Sequence, residues 1–563
     1  MLRFSRPFMG VGLLFGALNV GAADYWVSPD GTGDGLSREN PSGSLKAVSR
    51  LAVQGDVIHM LRGTHVVSDE PELAGDVTLV GETGNRDEVI LDAQKAGRAI
   101  VATGRQGILI KDLTIVNGKT QYDGGGICTT TASLIERDPR LNYTVENCVV
   151  RDCTASYMGG AGVGGFWTNC VISSCRVTAE NTAYSGLACN GWGGGVFGGE
   201  LVDCVVSNCW AIESGGGVAG GRDNVGHLLP LVATRCTIRE NRSETGNGGG
   251  AAGWNRYEYN QRCTLIGCTI SGNQANPKDD SDLGSGRSLG GGIASSYAEG
   301  CTIAENYGRR NGGGSWDSLS VGCTYRGNST MGCGGAGIEA EFVDCRLDGN
   351  KSYDAVGGAT YNCNTRNCIV VNNETSQYGT LCLGTHIGDI VAYNTAYWAE
   401  NGGALDTDGS GPCSAVNCTF LSNSGGAAAV MRATLTNCII WGQAGQTTFK
   451  DIVSMSHCFI PPGENPGYAD FDKNGNKSGP RAGFPSETSD DYITNVRALD
   501  AIAQTDLTAL NLKLDSPCVN AGVNQAWMAD ARDVFGTKRI RQQIVDVGAL
   551  ECNAKLGFLL MLR

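Results

Sequence analysis

The sequence predicts an all-β fold: a single-stranded, right-handed parallel β-helix with an N-terminal cap and an irregular C-terminal closing segment. Three observations carry this. A tetrad recurs along the chain, glycine clusters recur in step with it, and an asparagine follows the tetrad at a fixed distance. The tetrads read NCVV from residue 147, NCVI from 169, DCVV from 203, RCTI from 235, GCTI from 267 and again from 300, GCTY from 322, DCRL from 344, NCIV from 367, NCTF from 417, NCII from 437 and HCFI from 457. GDIV from residue 388 keeps the pattern, with Asp389 in the cysteine slot.

The period decides the architecture. Many successive slots lie 20 to 23 residues apart, and a longer group lies 29 to 34 apart because insertions interrupt it. Glycine clusters begin near Gly159, Gly193, Gly215, Gly248, Gly290, Gly312, Gly334, Gly357 and Gly402, about half a period from the cysteines. A coil of about 22 residues without a 3.6-residue apolar period is too short for a propeller blade and suits a stacked β-solenoid. Such a chain escapes the usual size limit of a single core, so its 563 residues do not force several domains.

Each element of the coil has a physical assignment. Side chains alternate across a strand, so the cysteine and the aliphatic residue two positions on face the same way, into the core. The asparagines Asn241, Asn273, Asn306, Asn328, Asn350, Asn373, Asn394 and Asn423 are expected to turn the chain in left-handed backbone and to stack their amides as a ladder. Cys153, Cys175 and Cys209 take that slot in three early coils. Stacked cysteines ~4.8 Å apart with parallel Cα–Cβ vectors are poorly placed for disulfides, so most of the 24 cysteines are expected to be free thiols. The pairs Cys263/Cys268, Cys363/Cys368 and Cys413/Cys418 stand as the better disulfide candidates.

The chain divides into residues 1–23, a signal peptide; 24–100, the N-terminal cap and first coils; 101–460, the repeats; and 461–563, the closing, anchor-like segment. Arg3 and Arg6, the apolar run from Met9 to Val20 and Gly21-Ala22-Ala23 make up an export signal with its cut before Asp24. About 12 apolar residues are too few to span a bilayer. No cysteine precedes Cys128, which excludes a lipid-bearing cysteine at the cut. The expected location is extracellular or at the cell surface or outer membrane. The charge of −14, without a basic patch, argues against nucleic acid. The mature chain is expected to be a monomer.

Ile238 to Asn241, Ile270 to Asn273, Phe420 to Asn423 and Gly402-Gly403-Ala404-Leu405 resemble the FxxN and GGAI repeats of the polymorphic outer membrane protein family, over roughly residues 145–425. YWVSPDGTGDG from residue 25, with SLKAVSRLAVQGDVIHMLRGTH after it, looks like the helix-capped opening coil of pectate-lyase-like β-helices. NPGYAD from 465, LDSPCVNAG from 514 and VDVGALE from 545 resemble the closing segment of choice-of-anchor Q bacterial surface proteins. The resemblance implies a bacterial surface protein of adhesin-like character. The chain departs from autotransporter members in having no room after residue 460 for their membrane barrel, which counts against self-secretion.

Function in a solenoid is expected in the insertions that break its period. Two follow the glycine cluster in successive coils, roughly Gly221 to Val232 and Gly253 to Arg262, and bring His227, Trp254, Tyr257 and Tyr259 to one corner. Two precede it, Val177 to Asn190 and Ala275 to Arg287, the latter with Asp279, Asp280 and Asp282. Aromatic faces beside carboxylates suit sugar rings, so these seven residues form the expected ligand-binding group for a polysaccharide or cell-surface glycan. Solvated loops with shielding aromatics are the plainer alternative. The NTD and H-G signatures of polygalacturonases are absent, and no nucleophile–histidine arrangement is visible, so no catalytic residue is assigned. No cofactor is required. Asp470, Asp472, Asn474 and Asn476 place oxygen ligands at alternate positions around Gly475, as Ca²⁺ loops do, although Arg481 stands where a bidentate acid belongs. Glycan or matrix recognition is the leading reading, a polysaccharide lyase or glycoside hydrolase the alternative, and a structural stalk the third.

Overall fold

A computed structural model describes residues 22–552, apart from 104–106, 130–142, 179–190, 223–227, 255–262, 276–287, 399, 442–443, 446–447, 462, 464–473, 479–511, 513, 515 and 542. The chain is a right-handed parallel β-helix in which each coil lays one short strand on each of up to four faces. One coil illustrates the order: Ser296–Glu299 on face 1, Thr302–Ala304 on face 2, Tyr307–Gly308 on face 3 and Ser315–Trp316 on face 4. Every strand of these faces pairs in parallel with its counterpart one coil away, as Ile270 does with Ile303 and Ile303 with Tyr325.

The N-terminus closes the stack. Asp24–Val27 pairs with Val57–Met60 as the first rung of face 1. A short helix, α1 (Leu45–Ser49), packs Leu45 and Val48 over the open end, with Ser44 accepting from the Ala47 N–H as its cap.

The period-2 assignment holds. Cys236 and Ile238, Cys268 and Ile270, and Cys301 and Ile303 are buried together. Between faces 1 and 2 the turn is made by the residue before the cysteine. Asn147, Asn169, Asp203, Arg235, Gly267, Gly300, Gly322, Asp344, Asn367, Gly388, Asn417, Asn437 and His457 all sit in left-handed backbone, with φ near 50–70°. A left-handed residue aims its own side chain outward and delivers the next one inward.

The same rule corrects one expectation. The asparagines do not themselves carry the left-handed turn between faces 2 and 3. Glu240, Gly272, Glu305, Gly327, Gly349, Asn372, Tyr393 and Ser422, each one position earlier, carry it. The asparagines point inward and form the expected ladder without a break: Nδ2 of Asn241, Asn273, Asn306, Asn328, Asn350, Asn373 and Asn394 donates to Oδ1 of the asparagine one coil on, at 2.9–3.1 Å. Cys209 joins its upper end, its N–H donating to Asn241 Oδ1 at 2.9 Å.

The cysteine column stacks likewise, with the N–H of Cys268 donating to Cys301 Sγ and that of Cys301 to Cys323 Sγ, both at 3.3 Å. All described cysteines are free thiols, and Cys333 is the one among them that is not fully buried. The three pairs proposed as disulfides are unbridged. Cys263 begins a face 1 strand and Cys268 starts the next face. The left-handed Gly267 turns the chain between them, so the two thiols stand in different inward columns of the coil and remain unbridged.

The closing segment folds back along the outside of the last coils. Val371, Ile390, Ala392, Leu421, Ile439 and Phe459 face outward from face 2, where Leu512, Cys518, Val547, Ala549 and Leu550 cover them. Corner asparagines hold the segment: Asn367 donates to the Arg532 carbonyl, Asn417 to that of Asp546 and Asn437 to that of Val523.

Candidate functional site

Face 4 positions the aromatic corner. Its strands here are two or three residues long, so one residue of each points in and the next points out. Ile127, Gly162, Val196, Val218 and Ala251 share the inner register, which places Cys128, Val163, Phe197, Ala219 and Ala252 on the outer side. Outward apolar side chains need cover, and Tyr157, Met158 and Leu229 supply it. Leu229 comes from the first insertion, whose base is an antiparallel hairpin pairing Gly221 with Leu229 and Arg222 with Leu228.

Trp254 lies at the edge of this patch, 37% exposed. Its indole meets that of Trp192 at 5.6 Å between ring centroids, tilted by 47°. Trp192 packs on the patch and donates from Nε1 to Glu213 Oε2 at 3.3 Å. An exposed indole supported by a second one and flanked by a carboxylate offers a sugar ring both an apolar platform and a hydrogen-bond acceptor. Of the residues expected here, Trp254 is at the site. His227, Tyr257, Tyr259, Asp279, Asp280 and Asp282 lie outside the described residues. Trp192 was missed by sequence reasoning. It stands just before the Gly193 cluster, and its signal was an aromatic at the corner that opens face 4.

The described end of the proposed calcium loop, residues 474–476, falls on the next corner of the solenoid. Gly475 is left-handed with φ 69°, and Asn476 takes the inward slot that cysteine fills elsewhere. Asn476 Oδ1 accepts the Cys458 N–H at 2.9 Å, and its Nδ2 donates to the Met455 carbonyl at 3.0 Å. The Asn474 carbonyl accepts the His457 N–H. Both described members are thus engaged by the coil beneath, while Asp470 and Asp472 lie outside the described residues.

Face 1 carries a second feature. Glu341, Asn364, Arg366, Thr385 and Ile387 line a shallow depression of about 270 Å³ on its outer side. Thr385 N–H donates to Asn364 Oδ1 at 3.1 Å, which fixes the floor. Directly inside, the core turns polar. Thr365 Oγ1 lies 2.8 Å from His386 Nδ1 and donates to Asp389, whose other oxygen accepts the Cys368 N–H at 2.7 Å. Burial pushes the Asp389 carboxyl up to about 7 and the His386 imidazole down to about 4. Complete burial keeps this trio away from any ligand, so its role is structural.

No family model and no curated protein matches this sequence. Solved structures similar to it include the pectate lyase Pel9A, 12% identical, covering 95% of this chain and 98% of its own, with a TM-score of 0.23. Another is a mannuronic-acid-specific polysaccharide family 6 lyase from human gut microbiota, 12% identical over 85% of this chain and 94% of its own, TM-score 0.31. A third is the A-module of the Azotobacter vinelandii mannuronan C-5 epimerase AlgE6, 12% identical over 74% and 94%, TM-score 0.26. The fold assignment rests on the strand pairing of the chain itself.

Proposed function

We propose that this is an exported β-helix protein that binds glycans on its outer surface, at or outside the cell. The observation that carries the reading is the Trp192–Trp254 pair on the outer patch of face 4, where the first insertion packs and the second departs. Export rests on the leader from Arg3 to Ala23, and surface attachment on the resemblance of the closing segment. Trp254→Ala removes the exposed ring and leaves Trp192 in its packing. Retention on a matching immobilised polysaccharide should fall at least tenfold, about 1.4 kcal/mol, with the thermal midpoint within about a degree or two of the parent. Unchanged retention across a panel that the parent binds would count against the corner as the site.

A second reading has its own observation. Glu341 and Arg366 sit on neighbouring coils in the face 1 depression. A carboxylate there could move a proton while the guanidinium holds the carboxylate of an acidic sugar, as a lyase or hydrolase requires. Incubation with uronan and neutral polysaccharides, read as new reducing or unsaturated chain ends, tests it. Activity lost in Glu341→Gln supports catalysis, and no new ends with any polymer dismisses it.

A further inference from the structure

The largest group of exposed rings on the described chain is not at the predicted corner. Tyr353, Tyr397 and Trp398 are 52, 64 and 56% exposed, on the third face. The coil geometry explains why they gather. After each ladder asparagine the side chains alternate, so the first and third following residues point outward. The second points inward: Thr330, Ser352, Thr375 and Ala396 are register partners and buried. The third residue is Met331, Tyr353, Ser376 and Tyr397 on four successive coils. Equivalent positions on other coils are Glu244, Arg309 and Gly426, so the apolar run is local.

Two further facts shape the surface. The strand Lys351–Val356 shifts register after Ser352, so Tyr353, Asp354 and Ala355 stand opposite Ser376 alone. In the parallel column one step earlier, Lys351 and Glu374 form an ion pair at 3.0 Å. Glu374 also reaches the Tyr397 hydroxyl. Tyr353 and Tyr397 lie on the first and third of three successive coils, ~10 Å apart along the axis, and the Lys351 ammonium stands near both. That separation is about the length of two linked pyranose rings.

The geometry points to Tyr353, Tyr397 and Trp398 as a saccharide-binding ridge that takes an uncharged polysaccharide laid along the solenoid axis. Each ring offers a flat apolar face to sugar C–H groups, while Lys351 and Glu374 offer a donor and an acceptor to hydroxyls. An uncharged polymer fits because the ion pair cancels its own charge, and Asp354 and Glu400 nearby add only negative charge to a chain of net −14. A protein partner fits poorly. The rings are interspersed with Lys351, Asp354, Glu374 and Gln377 and form no continuous apolar core of the ~800 Å² per side that a stable interface buries.

The inference shares the ligand class of the proposed function and places a separate site four to six coils from Trp254. The test is hydroxyl-radical footprinting of the full mature chain, read residue by residue by mass spectrometry. It uses soluble β-glucan, xylan and starch as uncharged probes, and alginate and polygalacturonate as charged ones. At least one uncharged polymer should lower oxidation of Tyr353, Tyr397 and Trp398 severalfold, in the parent and in Trp254→Ala alike. Tyr397→Ala with Trp398→Ala should abolish that protection at Tyr353 and leave the unfolding midpoint unchanged. Equal oxidation with and without every uncharged polymer overturns the ridge, and so does protection by the charged polymers alone. If Trp254→Ala loses all glycan retention while the ridge is never protected, the proposed function stands and the ridge falls. If the ridge is protected and Trp254→Ala retains glycan as the parent does, the ridge stands and the corner falls.

Discussion

The two inward corners of each coil answer the same geometric demand with opposite chemistry. Both follow a left-handed residue, and both place a small side chain beneath the backbone of the neighbouring coil. At the corner between faces 2 and 3, Asn328 accepts from both the N–H and the side-chain amide of Asn306, and donates to the Ile303 carbonyl and to Asn350 Oδ1. At the corner between faces 1 and 2, Cys323 receives the Cys301 N–H on sulfur at 3.3 Å, a weak bond at most. The asparagine corner is thus held by saturated hydrogen bonding and the cysteine corner by packing of a small polarisable group. Exchange between the two is tolerated in specific ways. Cys153, Cys175 and Cys209 fill asparagine slots in the early coils, and Asp389 fills a cysteine slot later.

Replacement at matched depth sharpens that comparison most. Asn328→Ala strands two buried donors on Asn306 and leaves the Ile303 carbonyl and Asn350 Oδ1 short of a donor, so it should cost about 4 kcal/mol in denaturant unfolding. Cys323→Ala removes one sulfur and should cost about 1–2 kcal/mol. Equal losses at the two sites would erase the distinction between the corners.

Asp389 offers a pH-dependent break. Its folded pKa of about 7 is raised, so its contribution is fully present below the unfolded value near 4 and is lost as pH rises through 7. His386, lowered to about 4, runs the other way: its contribution is present above about 6.5 and is lost as pH falls toward 4. The two oppose each other between about pH 4 and 6.5, and the parent should be nearly flat there. Asp389→Asn can keep the Cys368 and Thr365 contacts without the charge. It should gain on the order of 4 kcal/mol above about pH 7 and expose the acid-side loss from His386. An Asp389→Asn curve parallel to the parent at every pH would refute this coupling.

The smallest effect concerns redox state. Native protein should label promptly at Cys333 among the described thiols and slowly elsewhere, while denatured protein should label at all 24 cysteines. A reductant should leave the melting midpoint within about a degree. A fall of several degrees on reduction would mean that disulfides hold the cysteine corner after all.

Much of this was legible in the chain itself. The 22-residue period, the inward cysteine, the aliphatic residue two positions on and the unbroken asparagine ladder all follow from alternation along a strand, which depends only on local spacing. The left-handed turn was assigned one residue late because asparagine favours that conformation by itself, whereas the corner needs the side chain that follows it to point in. The aromatic ridge was legible in principle, three residues after the ladder asparagines, but an outward aromatic has no meaning until the coils are stacked. What only the tertiary structure decided are the contacts between distant stretches: Trp192 against Trp254, Asn476 drawn into the next corner, the closing segment laid over Ile390 and Ile439, and Thr365 hydrogen-bonded to His386 and Asp389 inside the coil. Each depends on which outward or inward column a residue joins and on what another part of the chain brings to it. A repeat determines its own columns. It does not determine what will cover them.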